Sequence, residues 1–160
     1  MSNNENTTTS PINEDNILVA ELQADNPADA IRQMAEILNE QGIVKPEFVQ
    51  AVLAREKEYP TGIPVSVPVA LPHTDADHCI RSAVIIGKME QPVAFGMMGG
   101  EEDETVDVRL VFMLSLPDPK NQIETLKKLT EIFREQVILE NILTTRSAKK
   151  IKQMIAEKFS

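Results

Sequence analysis

Apolar residues along this chain fall into two rhythms. Ile17-Leu18-Val19-Ala20-Glu21-Leu22 is a short apolar run, as expected of a strand. From Asn26 the spacing changes, and Ile31, Met34, Ala35 and Leu38 recur at helical intervals. Asp25-Asn26-Pro27 supplies the start of that helix, a capping side chain followed by proline in the first turn, and Gly42 is placed to end it. A second helix is predicted from about Pro46 to Glu58 through Phe48, Val49, Val52 and Leu53, and Tyr59-Pro60-Thr61-Gly62 breaks it. Three strands are predicted next, over Val65–Leu71, Ser82–Met89 and Val106–Leu116. Leu110 to Leu116 is apolar apart from Ser115, as in a strand covered on both faces. After Pro117-Asp118-Pro119, a helix from about Asn121 to Glu135 carries Ile123, Leu126, Leu129, Ile132 and Phe133 on its apolar side. Helices over Val137–Leu143 and Ser147–Phe159 complete the pattern.

Strands interleaved with helices predict one layered α/β domain, from 15 to 160, with helices packed on the sheet. Residues 1–14 are polar and read as a disordered leader. The full chain of 160 residues is long enough for one well-packed domain and short for two. No apolar run approaches the roughly 20 residues that cross a bilayer, and the N-terminus has neither the basic start nor the apolar segment of a signal peptide. Cys79 is the only cysteine, which excludes an internal disulfide and fits a reducing compartment, by default the cytoplasm.

Charge narrows the partners. A net charge of −9 argues against general nucleic-acid binding, which needs a basic face. It also means that any phosphoryl site must be compensated locally, by an arginine, hydroxyls or backbone amides. The glycines and carboxylates of Gly96–Glu104 read as a solvated loop, since they lack the spacing and the lysine of a P-loop.

Few side chains here could act as nucleophiles near neutral pH: two histidines and one cysteine. His73 stands at a strand end in Val69-Ala70-Leu71-Pro72-His73-Thr74-Asp75, where Pro72 fixes the direction in which the chain leaves the sheet. Such a position suits a displayed functional group, and equally a hydrogen-bonded structural histidine. His73, Asp75, Asp77, His78 and Cys79 have metal-donor chemistry, but crowded loop positions lack the separated ligand pairs of a zinc site. A solvated turn is the expectation there, with Cys79 a small apolar residue at the next strand's entrance and no metal or other cofactor. Arg55, in Arg55-Glu56-Lys57-Glu58, reads either as part of a solvated helix face or as a guanidinium that reaches toward His73 for bidentate phosphoryl binding. Thr61 and Thr74 could add hydroxyl donors, and Met97-Met98 reads as packing.

Taken together, Ala54-Arg55-Glu56-Lys57-Glu58-Tyr59-Pro60-Thr61-Gly62-Ile63 and Val69-Ala70-Leu71-Pro72-His73-Thr74-Asp75 resemble the IIA component of the sugar phosphotransferase system, in its fructose–mannitol class. The likeness continues through Pro92-Val93-Ala94-Phe95-Gly96 and Val106–Leu114 into the Leu126-Leu129 helix, and so covers roughly residues 15 to 159. It implies an α/β fold with a central mixed sheet flanked by helices. It also implies a job: taking a phosphoryl group from the histidine of the carrier HPr and passing it to a cysteine of a IIB component, with the sugar phosphorylated during uptake by the membrane-embedded IIC. On this resemblance His73 matches the phosphorylated histidine and Arg55 the arginine that helps hold the active site. Fructose- and mannitol-type members carry a second active-site histidine where this chain has Gln122, a departure that looks most like the galactitol-type branch. A glutamine amide can donate a hydrogen bond to a phosphoryl oxygen but brings no positive charge. The rival readings are a regulatory, nitrogen-type IIA-like sensor uncoupled from transport, and a non-catalytic α/β binding protein with a structural His73.

Overall fold

The computed structural model describes residues 10–160. Its strands are β1 (Ile17–Leu22), β2 (Val69–Ala70), β3 (Ala83–Gly96) and β4 (Thr105–Ser115), in one four-stranded sheet of order β1-β3-β4-β2. β1 lies parallel to β3 and β2 parallel to β4, while β3 and β4 form a long antiparallel pair. The sheet is therefore mixed, with Ala83–Met89 of β3 and Leu110–Ser115 of β4 buried on both faces. The helices are α1 (Pro27–Glu40), α2 (Phe48–Glu58), α3 (Pro119–Phe133), α4 (Gln136–Thr144) and α5 (Ala148–Phe159).

Alternation along the strands sorts the core into two layers. Ile85, Val111 and Met113 pack with Ile31, Met34 and Leu38 of α1 and with Phe48 and Val52 of α2. Val84, Ile86, Leu110, Phe112 and Leu114 face the other way, onto Leu129 and Phe133 of α3, Leu139 of α4 and Ile155 of α5. Phe112 meets Phe133 in a tilted pair, ring centroids 4.9 Å apart. Met89–Pro92 of β3 oppose only Arg109 of β4, a bulge that bends the hairpin there. Just before it, Lys88 donates to the Thr145 carbonyl at 2.8 Å and ties the sheet to the α4–α5 connection.

The start of α1 follows the expected chemistry, whereas α2 begins at Phe48 without a side-chain cap. Asn26 accepts from the Asp29 amide ahead of Pro27, and α1 ends where Gly42 takes a φ of 71°. Four expectations change. The strand predicted over Ser82–Met89 spans Ala83–Gly96, continuing past the bulge. The predicted strand Val65–Leu71 reduces to Val69–Ala70, because Pro64 and Pro68 have no amide to donate and the segment folds back on itself, with Ile63 and Val69 exchanging hydrogen bonds of 2.8 and 3.2 Å. The helix predicted from Asn121 begins at Pro119 under an Asp118 cap, and Ile123, placed on its apolar side, is 77% exposed. Of the expected leader, residues 1–9 lie outside the described residues. Residues 10–14 are placed, with Ile12 buried against the α3–α5 layer and Asn13 capping a 3₁₀ turn at Glu14–Asn16. Among the described residues, no helix is long and apolar enough to cross a membrane.

Candidate functional site

β2 is an edge strand, and the chain leaves it at Leu71 through buried Pro72 to present His73, a half-buried side chain. The His73 ring is oriented from below: Nδ1 lies 2.7 Å from the Leu71 carbonyl oxygen. A carbonyl can only accept, so Nδ1 carries the hydrogen and, in the neutral ring, Nε2 keeps a free lone pair. Burial pushes the imidazole pKa below its ordinary value of 6.5, and the charge of Arg55 acts in the same direction; the Leu71 hydrogen bond and Asp75 oppose them. The balance favours the neutral, nucleophilic ring at neutral pH.

The other candidates divide. Arg55 stands in the last turn of α2, its guanidinium 5.6 Å from the centre of the Tyr59 ring, and its charge is felt at His73. Gln122, in the first turn of α3, donates from Nε2 to the Thr74 carbonyl at 3.1 Å, which brings α3 onto the His73 loop. The Thr74 side chain is buried beside it. Thr61 departs from its expected use as a phosphoryl donor. It is buried, and its hydroxyl donates to Glu56 Oε1 at 2.8 Å while accepting from the Leu71 amide at 3.0 Å. His78 ends a 3₁₀ turn over Ala76–His78, where its carbonyl takes the Lys45 amide at 3.0 Å. Among the described residues, no group of three or more His, Cys, Asp or Glu side chains is placed to hold a metal ion.

One residue of this corner escapes a reading of Arg55–Glu58 as a solvated face. Glu56 is only 8% exposed, and its two oxygens accept from the Thr61 amide and the Thr61 hydroxyl, each at 2.8 Å. Burial pushes its pKa from 4.5 up to about 7, against the pull of both Thr61 bonds. A signal for it does exist in the sequence: Phe48, Val52 and Glu56 recur every fourth residue, and all three are buried.

Gly62 lets this corner close on the sheet. Its amide donates to the Gly96 carbonyl at 2.9 Å and its carbonyl accepts from the Met98 amide at 2.8 Å. A β-carbon at Gly62 would stand 2.6 Å from that same Gly96 oxygen, a backbone atom that cannot swing aside. Gly62→Ala is therefore expected to destabilise the fold by about 1–3 kcal/mol, read as a lowered midpoint in urea unfolding.

In outline the site holds one oriented imidazole, one arginine and an amide side chain, with exposed apolar groups on the segments that build it: Tyr59, Met98 and Ile123. It suits brief contact with another protein better than enclosure of a small molecule.

Comparison with known proteins bears on the same architecture. The galactitol-specific EIIA component of Escherichia coli K12 is 33% identical over 104 residues, covering 64% of this chain and 68% of that protein. The crystal structure of IIA mannitol from Escherichia coli superposes with a TM-score of 0.70 at 28% identity, covering 91% of this chain and 99% of that one. A complex of enzyme IIA-mannitol and phosphorylated enzyme IIB-mannitol from Escherichia coli gives 0.71 at 28% identity, over 91% of this chain and 97% of that one. The sequence profile of the phosphoenolpyruvate-dependent sugar phosphotransferase system, EIIA 2, matches residues 10–158. The chain belongs to this EIIA 2 family of sugar phosphotransferase components.

Proposed function

We propose that this protein is a cytoplasmic phosphoryl carrier that accepts a phosphoryl group from phospho-HPr on His73 Nε2 and passes it to a cysteine of a IIB component. Membrane-embedded IIC then uses it to phosphorylate an incoming sugar or sugar alcohol of the galactitol kind. The observation that carries this reading is the 2.7 Å contact between His73 Nδ1 and the Leu71 carbonyl, because it leaves Nε2 as the nitrogen with an available lone pair. In the forward step that lone pair forms a bond to phosphorus as the P–N bond of phospho-HPr breaks, and the electron pair returns to the HPr imidazole. The transition state is loose, so positioning and charge stabilisation do most of the work. Arg55 supplies the charge; the Gln122 amide and the loop amides of Thr74 and Asp75 are the nearby uncharged donors. Tyr59, Met98 and Ile123 give the docking face its apolar area.

The sugar class rests on the galactitol-specific relative and on the glutamine at position 122. A IIB partner is supported by the mannitol IIA–IIB complex, whose IIA fold this chain shares. The test is phosphotransfer from phosphoenolpyruvate through enzyme I and HPr, with nitrogen-15 and phosphorus-31 spectra of the product. Label on His73 Nε2 that is chased by a galactitol-type IIB is the expected result. Absence of label, or label on Nδ1, overturns the proposal.

A further inference from the structure

A continuous chain of hydrogen bonds runs from the end of α2 to the His73 ring. The two oxygens of Glu56 accept from the amide and the hydroxyl of Thr61 at 2.8 Å each. Thr61 Oγ1 in turn accepts from the Leu71 amide at 3.0 Å, bridging ten residues of sequence. The Leu71 carbonyl then accepts from His73 Nδ1 at 2.7 Å. With Glu56 ionised, and so able only to accept, the direction of every bond is fixed by chemistry. The Leu71 amide can only donate, so Thr61 Oγ1 spends a lone pair on it, and the carboxylate can only accept, so the Thr61 hydrogen goes to Glu56. Leu71 is thus held on its amide side by Thr61 and on its carbonyl side by the imidazole.

We infer that Glu56 is a positioning residue for His73: through Thr61 it fixes the Leu71 backbone, whose carbonyl holds the ring in the Nδ1–H tautomer and leaves Nε2 to react. The inference rests on the reading of His73 as the phosphoryl acceptor. Glu56 does not touch the phosphoryl group, because Thr61 stands between it and the loop. It acts as an ionised double acceptor. Adding a proton to Oε1 would aim one hydrogen at another and turn the Thr61 hydroxyl round. Adding it to Oε2 would leave a buried hydroxyl without a partner. Either change loosens the grip on Leu71.

A carboxylate this buried is an expensive way to staple a loop, and its pKa of about 7 places the rearrangement inside the physiological range. The charged groups around this corner are Arg55, Lys57 and Glu58 on its own helix, and His73 and Asp75 on the loop across from it. The His73 ring titrates below its ordinary value of 6.5, so the two transitions separate along the pH axis.

The experiment combines ring-nitrogen spectra of unphosphorylated His73 with the rate of labelling by phospho-HPr. In the wild-type protein, the Glu56 carboxyl carbon, the Thr61 and Leu71 amides and His73 Nδ1 are expected to share one transition near pH 7. Glu56→Gln and the isosteric Thr61→Val are expected to shift the ring toward mixed tautomers and to slow labelling by about tenfold or more. Thr61→Ser, which keeps the hydroxyl, restores both. Folded Glu56→Gln and Thr61→Val proteins with wild-type ring spectra would overturn the inference. So would wild-type Leu71 and His73 signals that ignore the titration of Glu56, a result that needs no variant to fold. The ring spectrum does not depend on phosphoryl transfer. A linked titration in a protein that never takes up label would therefore sink the carrier reading and leave the positioning role standing.

Discussion

His73→Ala is expected to abolish uptake of label from phospho-HPr, down to the background of a mixture without the protein, whereas His78→Ala takes it up at the wild-type rate. The chain contains these two histidines and no other, so the pair is a complete comparison. His73 has a ring nitrogen bound to a fixed acceptor at 2.7 Å and an arginine whose charge reaches it. His78 sits in a 3₁₀ turn, where the role visible for it is that of its backbone carbonyl. Removing the His73 ring deletes the only atom proposed to form the P–N bond, and no neighbouring donor can substitute for that lone pair. The expected loss is total rather than partial. Wild-type labelling of His73→Ala would end the assignment, and loss of labelling in a folded His78→Ala protein would move the site along the loop.

Arg55 carries the second large effect. The chain is acidic overall, at −9, and Asp75 adds a negative charge beside the ring, so a phosphoryl dianion arriving there meets repulsion that something must offset. Arg55→Ala is expected to slow phosphoryl acceptance by about 10²-fold, the order observed when a preorganised charge-stabilising donor is removed. Arg55→Lys is expected to fall between the two, keeping the charge but losing the planar fork and the stacking on Tyr59. A second readout follows from the sign of the electrostatics. Arg55 disfavours the imidazolium, so deleting it is expected to raise the His73 pKa, visible by nitrogen-15 titration. An Arg55→Ala protein with wild-type rates and an unmoved His73 titration would show that the guanidinium belongs to Tyr59 alone.

How far the sequence reached can be read from particular residues. The order of elements and the His73 loop were legible because caps, prolines and apolar spacing are local signals. Asn26-Pro27 starts α1, and Pro72 turns the chain at the end of β2. One failure is local and two are tertiary. Alternation in Val65–Leu71 reported which side chains face inward, but pairing needs amides, and Pro64 and Pro68 have none. Ile123 fits the apolar period of α3, yet the buried side of that helix is Thr125, Leu129, Ile132 and Phe133. That leaves an exposed isoleucine next to Gln122, where a docking face can use it. Glu56 was the hardest. A carboxylate among Arg55, Lys57 and Glu58 looks like surface; its place four residues after Val52 sets it on the buried side of α2, and the shape of the following loop brings Thr61 onto it.

Gln122 on the Thr74 carbonyl changes the proton bookkeeping of the proposed transfer. A second imidazole at this position would exchange protons with solvent as the phosphoryl group came and went, so that the transfer equilibrium would shift with acidity at two rings. An amide holds the loop without titrating in any physiological range. The exchange with each partner then balances the protons of the His73 ring, and of the Glu56 carboxyl linked to it, against those of the partner's own acceptor, with no titrating group contributed from the start of α3.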